Sequence, residues 1–303
     1  MAISRSQLVK ELEPGLNALF GLEYKRYENQ HAEIYTTESS DRAFEEEVML
    51  SGFANAQVKG EGAGVSFDEA QETFTARYTH ETIALAFAIT EEAIEDNLYD
   101  RISSRYTKAL ARSMSNAKQV KAVQPLINGL PSTETFKSGD AKALFTTNHP
   151  TVAGTFSNTL TTQADLNETS LEQSLIDIAK MTDERGLRVA ARGVKMIVPS
   201  ENQFNAERLM KSQGRTGTAD NDINAIASMG MIPQGYRVNN YLTDTDSFYI
   251  MTDVPNGMKM FNRAPLTTAM EGDFDTGNVR YKARERYSFG VSDPRGIYGV
   301  EGA

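Results

Sequence analysis

Two stretches of clean periodicity adjoin near the first third of the chain. From Thr82 to Ile89, Ile83, Leu85, Phe87 and Ile89 alternate with Thr82, Ala84, Ala86 and Ala88, which predicts a strand with one bulky and one small face. At Thr90 the period changes. Thr90 reads as an N-cap, Glu91, Glu92, Glu95 and Asp96 place negative charge at the positive end of a helix dipole, and Arg101, Arg105, Lys108, Arg112, Lys118 and Lys121 follow. Ile94, Leu98, Ile102, Tyr106, Leu110 and Met114 recur every four residues, with no Gly or Pro before Pro125 and Gly129. This predicts a single helix of roughly 50 Å, about three times the average in globular domains. Its stripe drifts round the surface and keeps no heptad seam, so an extended support beneath it is expected.

Upstream, Leu8, Leu12, Leu16, Leu19 and Phe20 form an amphipathic stretch interrupted at Pro14-Gly15, followed by polar, Tyr-containing sequence to about Asp41. Residues 1–43 sustain no period over their length and read as an arm that packs on something else. From Phe44 to Thr82, extended segments flank Lys59-Gly60-Glu61-Gly62-Ala63-Gly64. Gly60, Gly62 and Gly64 imitate a phosphate-cradling loop, but such a loop opens a helix. Here Val65-Ser66-Phe67 and then Phe74 to Tyr78 follow, both extended, so the glycines mark the flexible tip of a long hairpin. A mostly polar hairpin has little core of its own and needs a neighbour to lie on.

After Gly129 the texture is that of an α/β or α+β domain. A surface loop around Asn148-His149-Pro150 precedes a helix from about Ser170 to Arg185, ended by Gly186. Val194 to Val198 reads as a short buried strand, and Ser200 as the cap of a helix reaching about Gln213. A short helix from Asn221 to Met229 follows, then strands near Arg237–Leu242, Ser247–Thr252 and Met258–Asn262. The hairpin turn Thr243-Asp244-Thr245-Asp246 separates the first two, and Pro255-Asn256-Gly257 precedes the third. The tail holds two extended runs, Val279 to Phe289 and Ile297 to Val300, joined by Asp293-Pro294-Arg295-Gly296. In the first, Val279, Tyr281, Ala283, Glu285, Tyr287 and Phe289 share one face. Arg280, Lys282, Arg284, Arg286 and Ser288 share the other, giving a basic strip along a strand.

Charge and composition narrow what this architecture does. The 303 residues hold 31 Lys and Arg against 41 Asp and Glu, a net charge of −10 and the wrong sign for a dedicated nucleic-acid grip. Residues 44–82 carry much of the excess, with Glu45, Glu46, Glu47, Glu61, Asp68, Glu69, Glu72 and Glu81 against Lys59 and Arg77. The basic strip suits phosphates or an acidic protein surface, and the charge balance favours the acidic hairpin of a neighbouring copy. Cysteine and tryptophan are absent, and His31, His80 and His149 are far apart, which removes disulfides, thiolate sites and histidine metal cages. No G-x-S-x-G elbow serves a histidine, and Asp244 and Asp246 lack the pattern of a calcium loop. No catalytic, cofactor or metal site is expected, and His149 reads as a loop residue. No run of eighteen apolar residues and no secretory pattern at the start occur, which reads as a cytoplasmic origin.

The order of acidic hairpin, strand, long helix, α/β domain and basic terminal strands resembles the major capsid proteins of tailed phages. That α+β fold, the Hong Kong type, is shared with encapsulin shells. The segments Arg77 to Asp96, Val194 to Ser200, Tyr241 to Tyr249 and Arg284 to Tyr298 carry the likeness. The resemblance implies an N-terminal arm over 1–43, an extended loop over 44–82, a peripheral domain from 83–128 and 266–303, and an axial domain over 129–265. It implies hexamers and pentamers closing an icosahedral shell round packaged double-stranded DNA in a virion, assembled in the host cytoplasm, with a portal and in some cases a decoration protein. The short stretch before the loop leads us to expect a separate scaffolding protein. Some relatives cross-link a loop lysine to a neighbouring asparagine; Lys59 sits at the matching tip, with no asparagine partner identified. The candidate contact residues are Glu45, Glu46, Glu47, Lys59, Gly60, Gly62, Gly64, Arg280, Lys282, Arg284 and Arg286. An encapsulin-type compartment for a cargo enzyme, whose members open with a helix in place of an arm, and a soluble enzyme are the competing readings.

Overall fold

The computed structural model describes residues 5–92, 99–214, 223–273 and 277–303. In chain order the elements are α1 (Arg5–Arg26), β1 (Thr36–Ser39), β2 (Phe44–Leu50), β3 (Glu72–Thr79), β4 (Glu81–Ile89), α2 (Tyr99–Ile127), β5 (His149–Thr151) and β6 (Gly154–Phe156). There follow α3 (Glu168–Lys180), β7 (Gly193–Val198), α4 (Gln203–Lys211), α5 (Ala225–Met229), β8 (Tyr236–Val238), β9 (Phe248–Thr252), β10 (Met258–Gly272), β11 (Val279–Val291) and β12 (Ile297–Val300). Two four-stranded sheets organise them. The first has the order β1-β10-β11-β4, the second β12-β9-β7-β8, and β2-β3 and β5-β6 stand apart as two-stranded ribbons.

The long helix supports the first sheet. Ser103, Thr107, Leu110, Ala111, Met114, Gln119, Ala122, Val123 and Leu126 are buried along α2, so its inward face advances by threes and fours. Side chains of Ile94, Leu98 and Ile102 lie outside the described residues. Tyr106, expected in the buried stripe, is 53% exposed. Steps of four gain about 40° each on a helix of 3.6 residues per turn, so a straight contact line must admit steps of three. Ser103, Thr107 and Gln119 occupy such steps as small or hydrogen-bonding residues that a hydrophobic pattern does not reveal.

Three apolar clusters follow the chain's layers. One packs Leu16 and Phe20 of α1, with Leu110 and Met114 of α2, against Tyr281 and Ala283 of β11. Another joins the sheets, bringing Ala122, Val123 and Leu126 together with Leu144, Phe145, Tyr249, Met260, Tyr287 and Ile297. The third sets α3, α4 and α5 on the second sheet through Leu171, Ile178, Met196, Leu209, Ile226 and Ile250. Gly257 and Gly296 meet between the sheets, where a Cβ on Gly257 would lie 2.8 Å from the Gly296 Cα. Neither position has room for a side chain.

Several expectations are corrected. The amphipathic start is not broken at Pro14-Gly15: α1 runs through Pro14 and lies on its own subunit. A helix-interior proline costs about 3 kcal/mol, and burying Leu16 and Phe20 offsets it at about 1.5–3 kcal/mol each. The strand expected at Met258–Asn262 continues to Gly272 and so crosses the boundary at 265/266. Pro265 sits where the β10–β11 register shifts between Ala264 and Thr267, a place in the ladder where a missing N–H breaks no pairing. β12 pairs with β9, so Ile297–Val300 belong to the second sheet. Asn202, not Ser200, occupies the cap position of α4, the helix expected from Asn221 begins at Ala225 under an Asn224 cap, and Asn221 lies outside the described residues. The Asp244–Asp246 segment is no hairpin turn, because β8 and β9 pair with opposite sides of β7.

Leu126 is fully buried where the sheets meet. Leu126→Ala should destabilise the subunit by about 2–5 kcal/mol in denaturant unfolding. Val120→Ala, on the open face of the same helix, should change it by less than about 0.5 kcal/mol.

Candidate assembly surface

The hairpin is anchored at one end and free at the other. At the root, Tyr78 packs edge-on against Phe261 with ring centroids 4.7 Å apart, and its ring fills the space left by Gly290. Gly139 touches the backbone of Thr75 and Ala76, which an added Cβ would meet at 3.0–3.1 Å. Lys259 of β10, 8% exposed, reaches Glu47 Oε1 at 2.5 Å and Glu38 Oε1 at 3.1 Å. Burial alone would lower the Lys259 ammonium; the hydrogen bonds to Glu47 and Glu38 outweigh it and hold its pKa above the ordinary lysine range. Ser292 gives its proton to Glu47, so Tyr78, whose hydroxyl lies 2.5 Å from the Ser292 hydroxyl, donates to it. Burial raises the Tyr78 phenol well above its usual range, which keeps it a donor.

Beyond Ser51 and Gln71, which exchange hydrogen bonds of 2.8 and 2.9 Å, the ladder ends. Asp68 accepts from the Ala54 amide at 2.7 Å, and residues 53–72 are all exposed. The tip turns at Gly60–Ala63, closed by the Ala63 amide on the Gly60 carbonyl at 3.1 Å, with Gly62 at φ +76° where the turn requires a left-handed residue. Val58 is 99% and Phe67 97% exposed, with Phe53 and Val65 also open to solvent. Lys59, Glu61 and Gly64 share that exposure.

The acidity of the hairpin is mostly neutralised inside its own subunit. Besides Glu47, Glu45 pairs with Arg42 at 4.0 Å, Glu46 with Arg77 at 3.7 Å, Asp68 with Arg185 at 3.8 Å, and Glu81 with Lys121. Glu61, Glu69 and Glu72 remain, so the free end is weakly acidic and largely apolar. The expected match between a strongly acidic hairpin and the basic strip is reduced accordingly.

The basic strip is present as expected from the alternation. Val279, Tyr281, Ala283 and Glu285 are buried, while Arg280, Lys282 and Arg284 are exposed and Arg286 is half-buried. Arg280 pairs with Asp273 at 2.5 Å, and no acidic side chain among the described residues reaches Lys282 or Arg284. Lys282 and Arg284 stand between small neighbours, while Arg280 faces Glu271 on β10. Ala88, Ala86 and Ala84 of β4 lie opposite Arg280, Lys282 and Arg284, with Ala269 and Thr267 on the β10 side. Ala86, Ala269, Arg280 and Lys282 line a shallow groove of about 400 Å³. β4 is the last strand of its sheet and pairs with β11 in unbroken register. It carries no Pro and no Lys, the residues that usually blunt an edge.

The histidines have structural roles. His149, expected in a surface loop, is buried at the start of β5, with Nδ1 2.6 Å from Asp140 and Nε2 3.1 Å from Asn158. Burial would raise the Asp140 carboxyl, but hydrogen bonds from His149 and Ser138 prevail and lower it. Nearby, Arg295 is buried against Glu184 at 2.5 Å, donates to the Thr182 carbonyl at 2.8 Å and lies over the Phe156 ring at 4.4 Å. Among the described residues no three acidic or histidine side chains converge as a metal cage, and no helix is long and apolar enough to cross a membrane.

The family described as phage capsid protein matches the chain over residues 72–300. The chain belongs to the phage capsid protein family. No curated protein matches it by sequence. Among solved structures, it is similar to the capsid of an empty GTA particle (TM-score 0.59, 14% identity, covering 90% of this chain and 89% of that one). It is also similar to the capsid of Myoviridae phage XM1 (0.54, 10%, 89% and 89%). A virus-like particle from Pyrococcus furiosus gives 0.52 and 11%, covering 94% and 98%. At these identities the likeness is one of fold, and with the family it makes the chain a major capsid protein, a structural component of a bacteriophage head.

Within this capsid protein, sequence reasoning located the hairpin, its glycine tip and the basic strip. It missed Lys259 and the Arg295–Glu184 pair. Lys259 had a signal: a lone cation in Met258-Lys259-Met260-Phe261 must find an anion once buried. Lys259→Met should free the hairpin root. Hydrogen exchange of the β2 and β3 amides should show local opening cheaper by about 1–3 kcal/mol, with β7 unchanged.

Proposed function

We propose that this chain is the head subunit of a tailed phage, assembling through hexamers and pentamers into an icosahedral shell that encloses double-stranded DNA without reading its sequence. Assembly takes place in the host cytoplasm with a separate scaffolding protein and a portal, and a decoration protein is a further partner. The observation that carries this is the hairpin: its root is fixed by a buried cation and its apolar end has nothing in its own subunit to cover it. In this reading the extended loop is 44–82, the peripheral domain joins 83–128 to the first sheet, and the axial domain is built on the second sheet. Residues 1–43 form the N-terminal arm, which leans in part on its own subunit through α1, Ile34, Tyr35 and β1.

The seat for the free end is a sibling's β4 edge and basic strip. A strand laid beside β4 meets unpaired backbone groups, and Lys282 and Arg284 reach across the alanines to Glu61, Glu69 or Glu72 of the incoming loop. Val58 and Phe67 supply most of the affinity, at about 1.5–3 kcal/mol each when covered. Exposed ion pairs add about 0–1 kcal/mol and set the orientation. A second reading, an encapsulin-type compartment, draws on α1, since a docked helix stands where an arm was expected. Nuclease-protected DNA inside purified particles supports the phage head, and protected enzyme without DNA supports the compartment.

Negative-stain microscopy of the chain expressed alone and with its scaffolding protein should show closed shells. A monodisperse monomer in both preparations would reject the proposal. Val58→Asp with Phe67→Asp should abolish particles while shifting the subunit's stability by less than about 0.5 kcal/mol, and particles of normal yield would show that the hairpin end is not the assembly contact.

A further inference from the structure

The chain passes between body and hairpin twice, through Ser40–Ala43 before β2 and through His80 after β3. The two crossings touch each other. His80 Nε2 lies 2.9 Å from Ser40 Oγ, and Nδ1 lies 2.9 Å from Ser288 Oγ on β11. All three residues are buried. The Ser40 hydroxyl donates its only proton to Glu45 at 2.7 Å, so it must accept from the ring. Nε2 therefore carries the hydrogen, and Nδ1 accepts from Ser288. Both nitrogens of a neutral imidazole are used, and one ring ties both strands of the hairpin to the sheet.

A second proton has no place in this arrangement. On Nδ1 it would point at a hydroxyl that is already donating, so Ser288 would have to turn. It would also create a buried cation with Arg286 of β11 and Arg263 of β10 nearby. The facing acid is Glu45 of β2, already bound by Ser40 and 4.0 Å from Arg42. Glu81, next in sequence, is turned to Lys121 of α2.

We propose that His80 is an acid-sensitive hinge: neutral, it ties the hairpin root to β11, and protonated, it releases its hold on both crossings and loosens the root, with the Lys259 ion pairs and Tyr78 remaining as the pivot. Burial first, then Arg286 and Arg263 against the opposing pull of Glu45, lowers the His80 pKa below its ordinary 6.5. The lock is therefore complete above that ordinary value and is lost as the pH falls from there through the lowered one. The hinge belongs to the single subunit. Its consequence for assembly, a hairpin repositioned on a sibling as the medium acidifies, rests on the reading of the hairpin as the assembly contact.

The test is hydrogen exchange on unassembled subunits, corrected for intrinsic rates, at about pH 7.5 and about pH 5. Protection of Phe44–Leu50 and Glu72–Thr79 should fall several-fold at the lower pH, with Gly193–Val198 unchanged. His80→Gln, which keeps a donor and an acceptor but cannot charge, should remove the pH dependence. Arg286→Gln, which removes the cation beside the ring, should move the transition to higher pH and serves if His80→Gln fails to fold. Unchanged protection in the native chain, or the same loss in His80→Gln, would overturn the hinge; the latter would place the titration on Glu47 and Glu38 around Lys259. Absence of shells at every pH would overturn the assembly reading and leave the exchange result standing.

Discussion

A two-stranded ribbon has a single layer and no interior, so it holds a defined direction only where something else covers one of its faces. In this subunit that cover is confined to the root. Tyr78, Ala76 and Glu47 lie against β10 and β11, with Lys259 buried between Glu47 and Glu38. Removing either anion would leave a buried ammonium partly uncompensated, which is costly. The ion pair thus converts a floppy ribbon into a lever with a fixed base. Everything proposed for assembly depends on that base, because an apolar tip at the end of an undirected chain would lose most of its binding free energy to ordering.

The two halves of the contact surface use different physics. Along β11 the pleat separates Arg280, Lys282 and Arg284 from Tyr281, Ala283 and Glu285, and the buried Glu285 meets Lys118 of α2 at 3.2 Å and Tyr24 of α1 at 3.3 Å. One strand therefore holds the subunit together with one face and presents cations with the other. Small residues at 84, 86 and 88 on β4 keep the outer face open, so long cationic side chains extend sideways over them. The same small-and-bulky alternation that fills the space under α2 with Ile83 and Phe87 leaves this channel above.

How much of this was legible in the chain depends on whether the signal was local. Alternation at 82–89 and 279–289 is a property of neighbours in sequence, and both strands were found with the correct faces. The glycine tip was legible because an extended chain followed it where a helix would have been needed for phosphate. The fates of Glu45, Glu46 and Glu47 were not legible, since they depend on Ser40, Arg77 and Lys259, and a run of acids looks solvated until its partners are placed. The continuity of α1 through Pro14 was hidden for a similar reason: helix propensity opposes it, and the partners that favour it, Leu110, Met114 and Tyr281, are distant in sequence. The continuation of β10 past Pro265 was not legible either, because the register shift that tolerates the proline belongs to the pair of strands.

The location of flexure follows from what surrounds it. On the body side, His149–Asp140 and Arg295–Glu184 are buried pairs bracing the loops beneath the hairpin, and Arg295 also reaches the Met49 sulfur at 3.7 Å. Each would leave a buried charged or polar group unpaired on opening, so these loops resist local motion. On the far side, residues 53–72 are exposed and meet the body through Arg185, which pairs with Asp68 and donates to the Glu69 carbonyl. Between them lie the two crossings at Ser40–Ala43 and His80, where the ring joins Ser40 to Ser288, Ser40 donates to Glu45, and Arg263 donates to the Arg42 carbonyl. The Lys259 ion pairs and the Tyr78–Ser292 contact hold the root beside them, and at the crossings themselves the protonation state of the His80 ring decides both of its hydrogen bonds. In the proposed hinge, a change in direction of the lever begins at that ring, and the Lys259 pair sets its pivot.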